Sequence, residues 1–292
     1  MSTESCIVCG GTLAPAVDAP RSSYADRGKY RIDACQDCGI GATMPRPSDE
    51  ELAACYASTY GYSTHDLIEA EKRRRSAALL AWSGVNAGAI LDVGCMFGFL
   101  LDEARAAGLV PYGIELSPGP AEAARAKGHD VFTGTIEQFA ADRPNLRFAA
   151  IFAQHVLEHI PDPLSFLKQA RAMLQPGGKL VLAVPNFDAR LRRLTPRAWG
   201  WYQVPVHLHH FSSRALQRLL RDAGFEVDTE RTRGGDTLFL ALSALQSLGV
   251  SVGGASKEGG GGVAKTAFRV IGELTRPYYA LGDDELDIIA RA

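Results

Sequence analysis

The chain has 292 residues, 46% of them hydrophobic and 22% charged, with a formal net charge of -2 and a pI near 6.4. That is enough for one or two domains with cores of their own, and it excludes a global basic field that would draw the chain to nucleic acid or an anionic membrane. No stretch approaches the ~18 consecutive apolar residues of a spanning helix, and the opening MSTESCIVCGG lacks the basic-then-apolar order of a signal peptide, so a cytoplasmic location is expected.

Residues 1–45 are polar and turn-rich and hold four of the six cysteines in two C-x-x-C-G knuckles, Cys6 with Cys9 and Cys35 with Cys38. Each knuckle presents two thiolates to one metal. Four thiolates satisfy tetrahedral zinc with no open position, so a structural zinc module is predicted. The rival reading, a redox dithiol, usually comes as a single pair in a thioredoxin-like unit. Cys55 reads as a buried helix residue and Cys95 as part of a turn, serving through its backbone.

Residues 46–87 read as a helical linker or cap. Pro45 and Pro47 mark the boundary, Ser48 and Glu51 form a capping box, and EKRRRSAALLAW (71–82) continues as helix with Lys72 to Arg75 as its solvated face. From residue 89 short apolar runs alternate with helical stretches. AILDVG, VPYGIEL, HDVF, RFAAIFAQ and KLVLAVP read as strands, and PLSFLKQARAML as a helix closed by PGG. Repeated β-α units imply a doubly wound parallel sheet with its ligand at the carboxyl ends of the strands. Beyond it come an irregular segment at 186–211, an amphipathic helix at 212–224, the strand FEVDTER, a flexible glycine-rich loop at 249–263, a helical segment around 265–280 and a last strand, ELDIIAR.

LDVGCMFG (91–98) follows a strand and opens a helix. Its glycines permit a tight turn and close approach of a ligand, and the helix N-terminus offers N–H groups to a carboxylate. Glu115 ends the next strand, where an acid can accept hydrogen bonds from both hydroxyls of a ribose. A solvated acid at a strand end is the equal alternative.

These segments are similar to successive motifs of bacterial class I S-adenosylmethionine-dependent methyltransferases. The resemblance is carried in order by LDVGCMFG, YGIELSP, FAAIFAQHVLEHIPDPLSFLKQARAMLQPGGKLVLAVPN and PVHLHHFSSRALQRLLRDAGF, over about residues 88–230. It implies S-adenosylmethionine as cofactor and a Rossmann-like seven-stranded sheet over residues 88–292, with the last strand antiparallel and ELDIIAR at an edge. It also assigns residues. Asp92, Gly94, Cys95, Met96 and Gly98 would surround the methionine part, and Glu115 with Leu116 the ribose. Thr135 and Ile136, in the loop from Gly134 to Glu137, would flank the adenine, and Gln154 and His155 would lie near the sulfonium. Two positions depart from the family: Met96 stands where glycine is usual and Ala149 where an aspartate is usual. The zinc module followed by PRPSDEELAACYASTYGY resembles a subset that often acts on sugars, natural products or surface glycans. A zinc ribbon also precedes some ribosomal-RNA methyltransferases.

A hydroxyl acceptor must lose its proton, and histidine suits that near neutrality. Five of the seven histidines fall in HVLEH and PVHLHHF. His155 and His207 are the candidate catalytic bases, and His159, His209 and His210 are weaker ones. HVLEH also spells the H-x-x-E-H of a zinc-peptidase class, which needs a long helix. A divalent metal at Glu158 and His159 is a minority alternative. Arg190, Arg192, Arg193 and Arg197 cluster with Trp199, Trp201 and Tyr202, a mixture that can grip a phosphate and stack on a ring or simply be a solvated loop with buried aromatic anchors. The leading expectation is a small-molecule methyltransferase acting on a hydroxyl of a sugar, glycan precursor or natural product. The alternatives are a ribosomal-RNA methyltransferase, disfavoured by the four basic and five acidic residues of 1–45, and a non-catalytic cofactor-binding protein on the same fold.

Overall fold

The computed structural model describes residues 5–20, 28–59, 65–197, 199–234 and 282–292. The loop expected at 249–263 and the helix expected around 265–280 lie outside the described residues. The chain forms two compact units, one from Met1–Thr64, Val184–Arg218 and Arg231–Leu286, the other from His65–Ala183, Leu219–Glu230 and Asp287–Ala292.

In the first unit β1 (Leu13–Val17), β2 (Arg31–Cys35) and β3 (Gly41–Met44) form an antiparallel meander, and β9 (His209–His210) pairs antiparallel with β3. Alternation sets the faces of β2: Arg31 is exposed while Ile32 is fully buried. The core under this sheet gathers Val17, Tyr30, Ile32, Phe187, Trp199, Trp201 and Tyr202. The tryptophans and the tyrosine of 186–211 are therefore core anchors rather than a stacking platform. Helix α1 (Asp49–Thr59) opens on the expected capping box, with Ser48 N–H donating to Glu51 at 2.8 Å and Glu51 N–H donating to Ser48 Oγ at 3.2 Å.

The second unit opens with α2 (His65–Ser83). Then β4 (Ala89–Val93), α3 (Phe99–Ala106), β5 (Val110–Glu115), α4 (Pro118–Ala126), β6 (Asp130–Thr133), α5 (Ile136–Asp142), β7 (Phe148–Gln154), α6 (Pro163–Met173) and β8 (Leu174–Pro185) alternate, with α5 a helix where the sequence reads only as a loop. After α7 (Arg190–Leu194) and α8 (Ser213–Asp222), β10 (Glu226–Arg233) and β11 (Glu285–Arg291) complete a seven-stranded sheet of order β10-β11-β8-β7-β4-β5-β6. β4 pairs in parallel with β5 on one side and β7 on the other, so the direction of winding reverses at β4. In such sheets ligands bind in the crevice at that reversal, beyond the carboxyl ends of the strands. Both faces are covered, as a parallel sheet requires. Ile90, Phe152 and Val181 join Leu79, Leu80 and Leu100 in one cluster, and their neighbours Leu91, Ile151 and Leu182 are fully buried too.

Three readings are corrected here. ELDIIAR is not an edge strand: β11 lies between β8 and β10, and β10 forms the edge. Complete burial from Glu285 to Ala290 explains that place. α6 is not closed by the PGG turn. Its last residue is Met173, β8 begins at Leu174, and the Gln175–Gly178 segment is taken up as an irregularity where Phe148 pairs Leu174 but Ala150 pairs Lys179. Lys72 to Arg75 are not one solvated face. Arg75 is buried, and Arg73 pairs with Glu69 at 2.8 Å and Asp102 at 3.0 Å. The cause is helical spacing. Arg75 and Ser76 fall one turn before the buried Leu79 and Leu80 and share their face.

Candidate active site

The turn after β4 takes the left-handed conformation at Gly94, Met96 and Gly98, with φ of 74°, 48° and 78°. Glycine adopts this freely, whereas a residue with a Cβ is strained. Gly94 has a second constraint, since a Cβ there would lie 2.6 Å from Val156 Cγ2. Gly94 and Cys95 both donate their N–H to Ile114 O, at 2.8 and 3.0 Å, tying the turn to the end of β5. Gly98 caps α3 without a side-chain acceptor, leaving the first N–H groups of the helix directed outward. Cys95 serves the turn through its backbone, as expected. Its thiol is buried among Leu101, Ala121, Ala124 and Val131, and burial drives its pKa far above the usual thiol range.

Glu115 closes β5. Its two oxygens accept from Met96 N–H at 2.9 Å and from Ser117 N–H at 2.8 Å. Burial raises its pKa, and these backbone N–H groups oppose the rise. Asp92, fully buried at the end of β4, is raised well above the ordinary carboxylate range, first by desolvation and then by the Glu115 charge. Leu116 is 61% exposed, unusual for a leucine beside a buried acid. Thr135 and Gln138 form a reciprocal capping box at the start of α5, and Ile136 is buried behind it. Thr135 is thus occupied as a helix cap.

A pocket opens at the reversal of the sheet. Its lining combines Lys72, Arg75 and Ser76 of α2 with Asp92, Gly94 and Met96 of the turn and Gln154 and His155 after β7. Sequence reasoning had placed Asp92, Gly94, Cys95, Met96, Gln154 and His155 there but missed Arg75. His155 has a left-handed backbone, φ 53°, and its N–H donates to Ala183 O at 2.8 Å. Its Nδ1 lies 3.3 Å from Glu158 Oε1 and its Nε2 3.5 Å from a terminal nitrogen of Arg75. Guanidinium groups only donate, so the Nε2 lone pair of His155 faces Arg75. The H-x-x-E-H stretch is a short 3₁₀ turn, Leu157–His159, not the long helix a zinc peptidase needs.

His207 belongs to the first unit. It is buried, with Nδ1 at 2.8 Å from Trp201 O. A carbonyl only accepts, so Nδ1 carries the proton and Nε2 the lone pair of the neutral ring. His209 and His210 are buried as well. Desolvation, then the neighbouring His209 charge, lowers His210 to about 3, which keeps it neutral. The arginines split: Arg190 pairs with Asp283 at 3.0 Å, Arg192 lies over the Phe187 ring at 3.9 Å, and Arg193 and Arg197 are exposed.

In the same unit the four knuckle cysteines converge. Cys6 Sγ lies 3.5 Å from Cys38 Sγ and Cys9 Sγ 3.3 Å from Cys35 Sγ, all are free thiols, and the four sulfurs fall within 4.8 Å of one another. Tetrahedral zinc with ~2.3 Å bonds separates its sulfurs by about 3.8 Å, so the set fits zinc.

A family model described as "Methyltransferase domain" matches residues 65–230, more than half of the chain. The chain belongs to the methyltransferase-domain family. Its similarity to curated relatives is consistent with that. The chain is 33% identical over 113 residues to the ubiquinone biosynthesis O-methyltransferase of Histophilus somni, covering 36% of this chain and 48% of that one. To the enzyme of the same name from Xanthomonas euvesicatoria it is 30% identical over 160 residues, covering 48% and 63%. It thus spans about half the length of these relatives. A solved S-adenosylmethionine-dependent methyltransferase from Archaeoglobus fulgidus superposes with a TM-score of 0.53 at 17% identity, over 76% of this chain and 94% of that one, so the chain shares its fold. No described helix is long and apolar enough to cross a membrane.

Proposed function

We propose that this chain binds S-adenosylmethionine in the pocket of its second unit and transfers the methyl group to a hydroxyl of a small molecule, such as a sugar, glycan precursor or natural product. The observation that carries this reading is the buried Glu115 carboxylate, set against the left-handed turn Gly94–Gly98 at the reversal of the sheet. A carboxylate can accept up to about four hydrogen bonds, so Glu115 can receive ribose hydroxyls as well as the N–H groups of Met96 and Ser117. The exposed Leu116 supplies an apolar surface for the adenine. The N–H groups opening α3 and the Arg75 guanidinium are donors for the methionine carboxylate. When bound, the cofactor supplies an activated methyl group. The protein's part is then chiefly to position the acceptor and take its proton. Gln154 and His155 line the reacting end of the pocket. Of the two candidate bases, His155 lines this pocket with its Nε2 lone pair toward Arg75, and His207, in the first unit, holds its proton on Nδ1 against Trp201 O. O-methylation is the chemistry named for the ubiquinone biosynthesis relatives, and it is adopted here as the reaction class. The four cysteines are assigned to one structural zinc. A methyl-transfer assay over hydroxylated acceptors, with S-adenosylhomocysteine formation as readout, tests this reading. Formation only with hydroxyl acceptors supports it, and formation only with amines, thiols or RNA refutes it.

A further inference from the structure

The zinc knuckle does not stand as a separate appendage within its unit. The segment that ends the PVHLHHF stretch is built onto it at every step. The carbonyl of Cys38 accepts from Ser212 Oγ at 3.1 Å and from Arg214 Nε at 3.3 Å. Ser212 Oγ also accepts from Ala215 N–H at 3.2 Å and so caps the start of α8. β3, which leaves the second knuckle, pairs Gly41 with His210 and Ala42 with His209. Thr43 adds two bonds, its N–H to Leu208 O at 3.1 Å and its hydroxyl to His207 O at 2.6 Å, and Arg46 donates to Leu208 O at 3.3 Å. The fit is close. A Cβ on Gly41 would come within 3.0 Å of His210 Cβ and 2.9 Å of the Phe187 ring.

We propose that the four-thiolate zinc site is the mount of the histidine segment His207–Ser212: the metal fixes the Cys38 knuckle, and Cys38, β3 and Thr43 fix the backbone of His207 and of the residues after it. The proposal rests on the zinc assignment above and gives the module a task inside the enzyme, that of positioning rather than gripping a second macromolecule. A β9 of two residues makes too few ladder bonds to hold itself, and thiolates brought to one metal tie the knuckle from which β3 leaves.

The test uses the full chain. Zinc is first quantified by elemental analysis. Amide exchange and histidine ring NMR are then recorded before and after zinc removal by a chelator. At least tenfold faster exchange is expected in β3 and residues 207–212, together with a shift of the His207 ring signal, while β4, β7 and His129 keep their rates and shifts. Thr43→Val, which keeps all four thiolates, guards against global unfolding of the metal-free chain. It should retain one zinc and still speed exchange at residues 207–210 by at least threefold. Unchanged exchange there, in a chain that has lost its zinc or in Thr43→Val, overturns the mount but leaves the zinc assignment standing. A purified chain with no zinc and with the cysteines paired as disulfides overturns both.

Discussion

Met96 N–H donates to Glu115 Oε2 at 2.9 Å, so the acid assigned to the ribose also holds the glycine turn closed. Met96 makes that bond from a left-handed backbone that glycine would adopt without strain. One carboxylate therefore couples the two halves of the proposed cofactor site.

Removing that carboxylate should cost more than the ribose contact alone. For Glu115→Ala we expect cofactor affinity to fall by about 1.5–3 kcal/mol, the range for a charge-assisted hydrogen bond lost from a buried site. Glu115→Gln should recover part of the loss, because its amide oxygen can still accept from one backbone N–H. Calorimetric titration of both variants is the measurement. Equal affinities for wild type and Glu115→Ala would remove the acid from the site.

Met96 carries a strain cost of roughly 1–2 kcal/mol that glycine avoids, set against roughly 0.5–1 kcal/mol of extra chain entropy for glycine. Met96→Gly should accordingly leave thermal stability nearly unchanged and cofactor affinity equal or better. Met96→Val, branched at Cβ, should lower the melting temperature. A Met96→Gly chain that binds cofactor tenfold more weakly would mean that the methionine side chain itself contributes to binding.

The architecture was legible because its signals are periodic. Alternating apolar runs and glycine-ended helices gave the parallel strands, and the cysteine spacing gave the knuckle. What escaped was pairing across distance. The run Lys72–Arg75 reads as solvent-facing until Leu79 and Leu80 are used to phase the helix, which puts Arg75 in the pocket. ELDIIAR falls at an edge only as the family resemblance implies. Glu285 is in fact fully buried, paired with Arg233 at 2.7 Å. In PVHLHHF the sequence ranks His207 above His209 and His210 by position alone. The structure adds the partners: His207 is oriented by Trp201 O, and His210 is buried and neutral.

Asp92 should leave a signature in the pH dependence of stability. Its folded pKa is raised, so its stabilising contribution is full below the ordinary carboxylate value near ~4 and is lost as pH rises through the folded value. Asp92→Asn has no such titration. Compared with wild type it should gain stability steadily from about pH 4 toward pH 8, as read from denaturant unfolding at several pH values. A constant difference across that range would show that Asp92 titrates normally.

Kinetics tells the two candidate bases, His155 and His207, apart. Replacing the histidine that takes the acceptor's proton by Ala should lower turnover by roughly 10²–10⁴. Replacing His155 should in addition weaken binding, because its ring lies against Arg75 in the pocket. Steady-state kinetics with an identified hydroxyl acceptor decide it. If both variants turn over within about threefold of wild type, positioning alone explains the rate.

The most direct test of the central claim is calorimetric titration of the purified, zinc-quantified chain with S-adenosylhomocysteine, alongside Arg75→Ala. The account predicts one binding site per chain, weakened at least tenfold by Arg75→Ala with the zinc content unchanged. No detectable binding at millimolar ligand by a folded wild-type chain would contradict it.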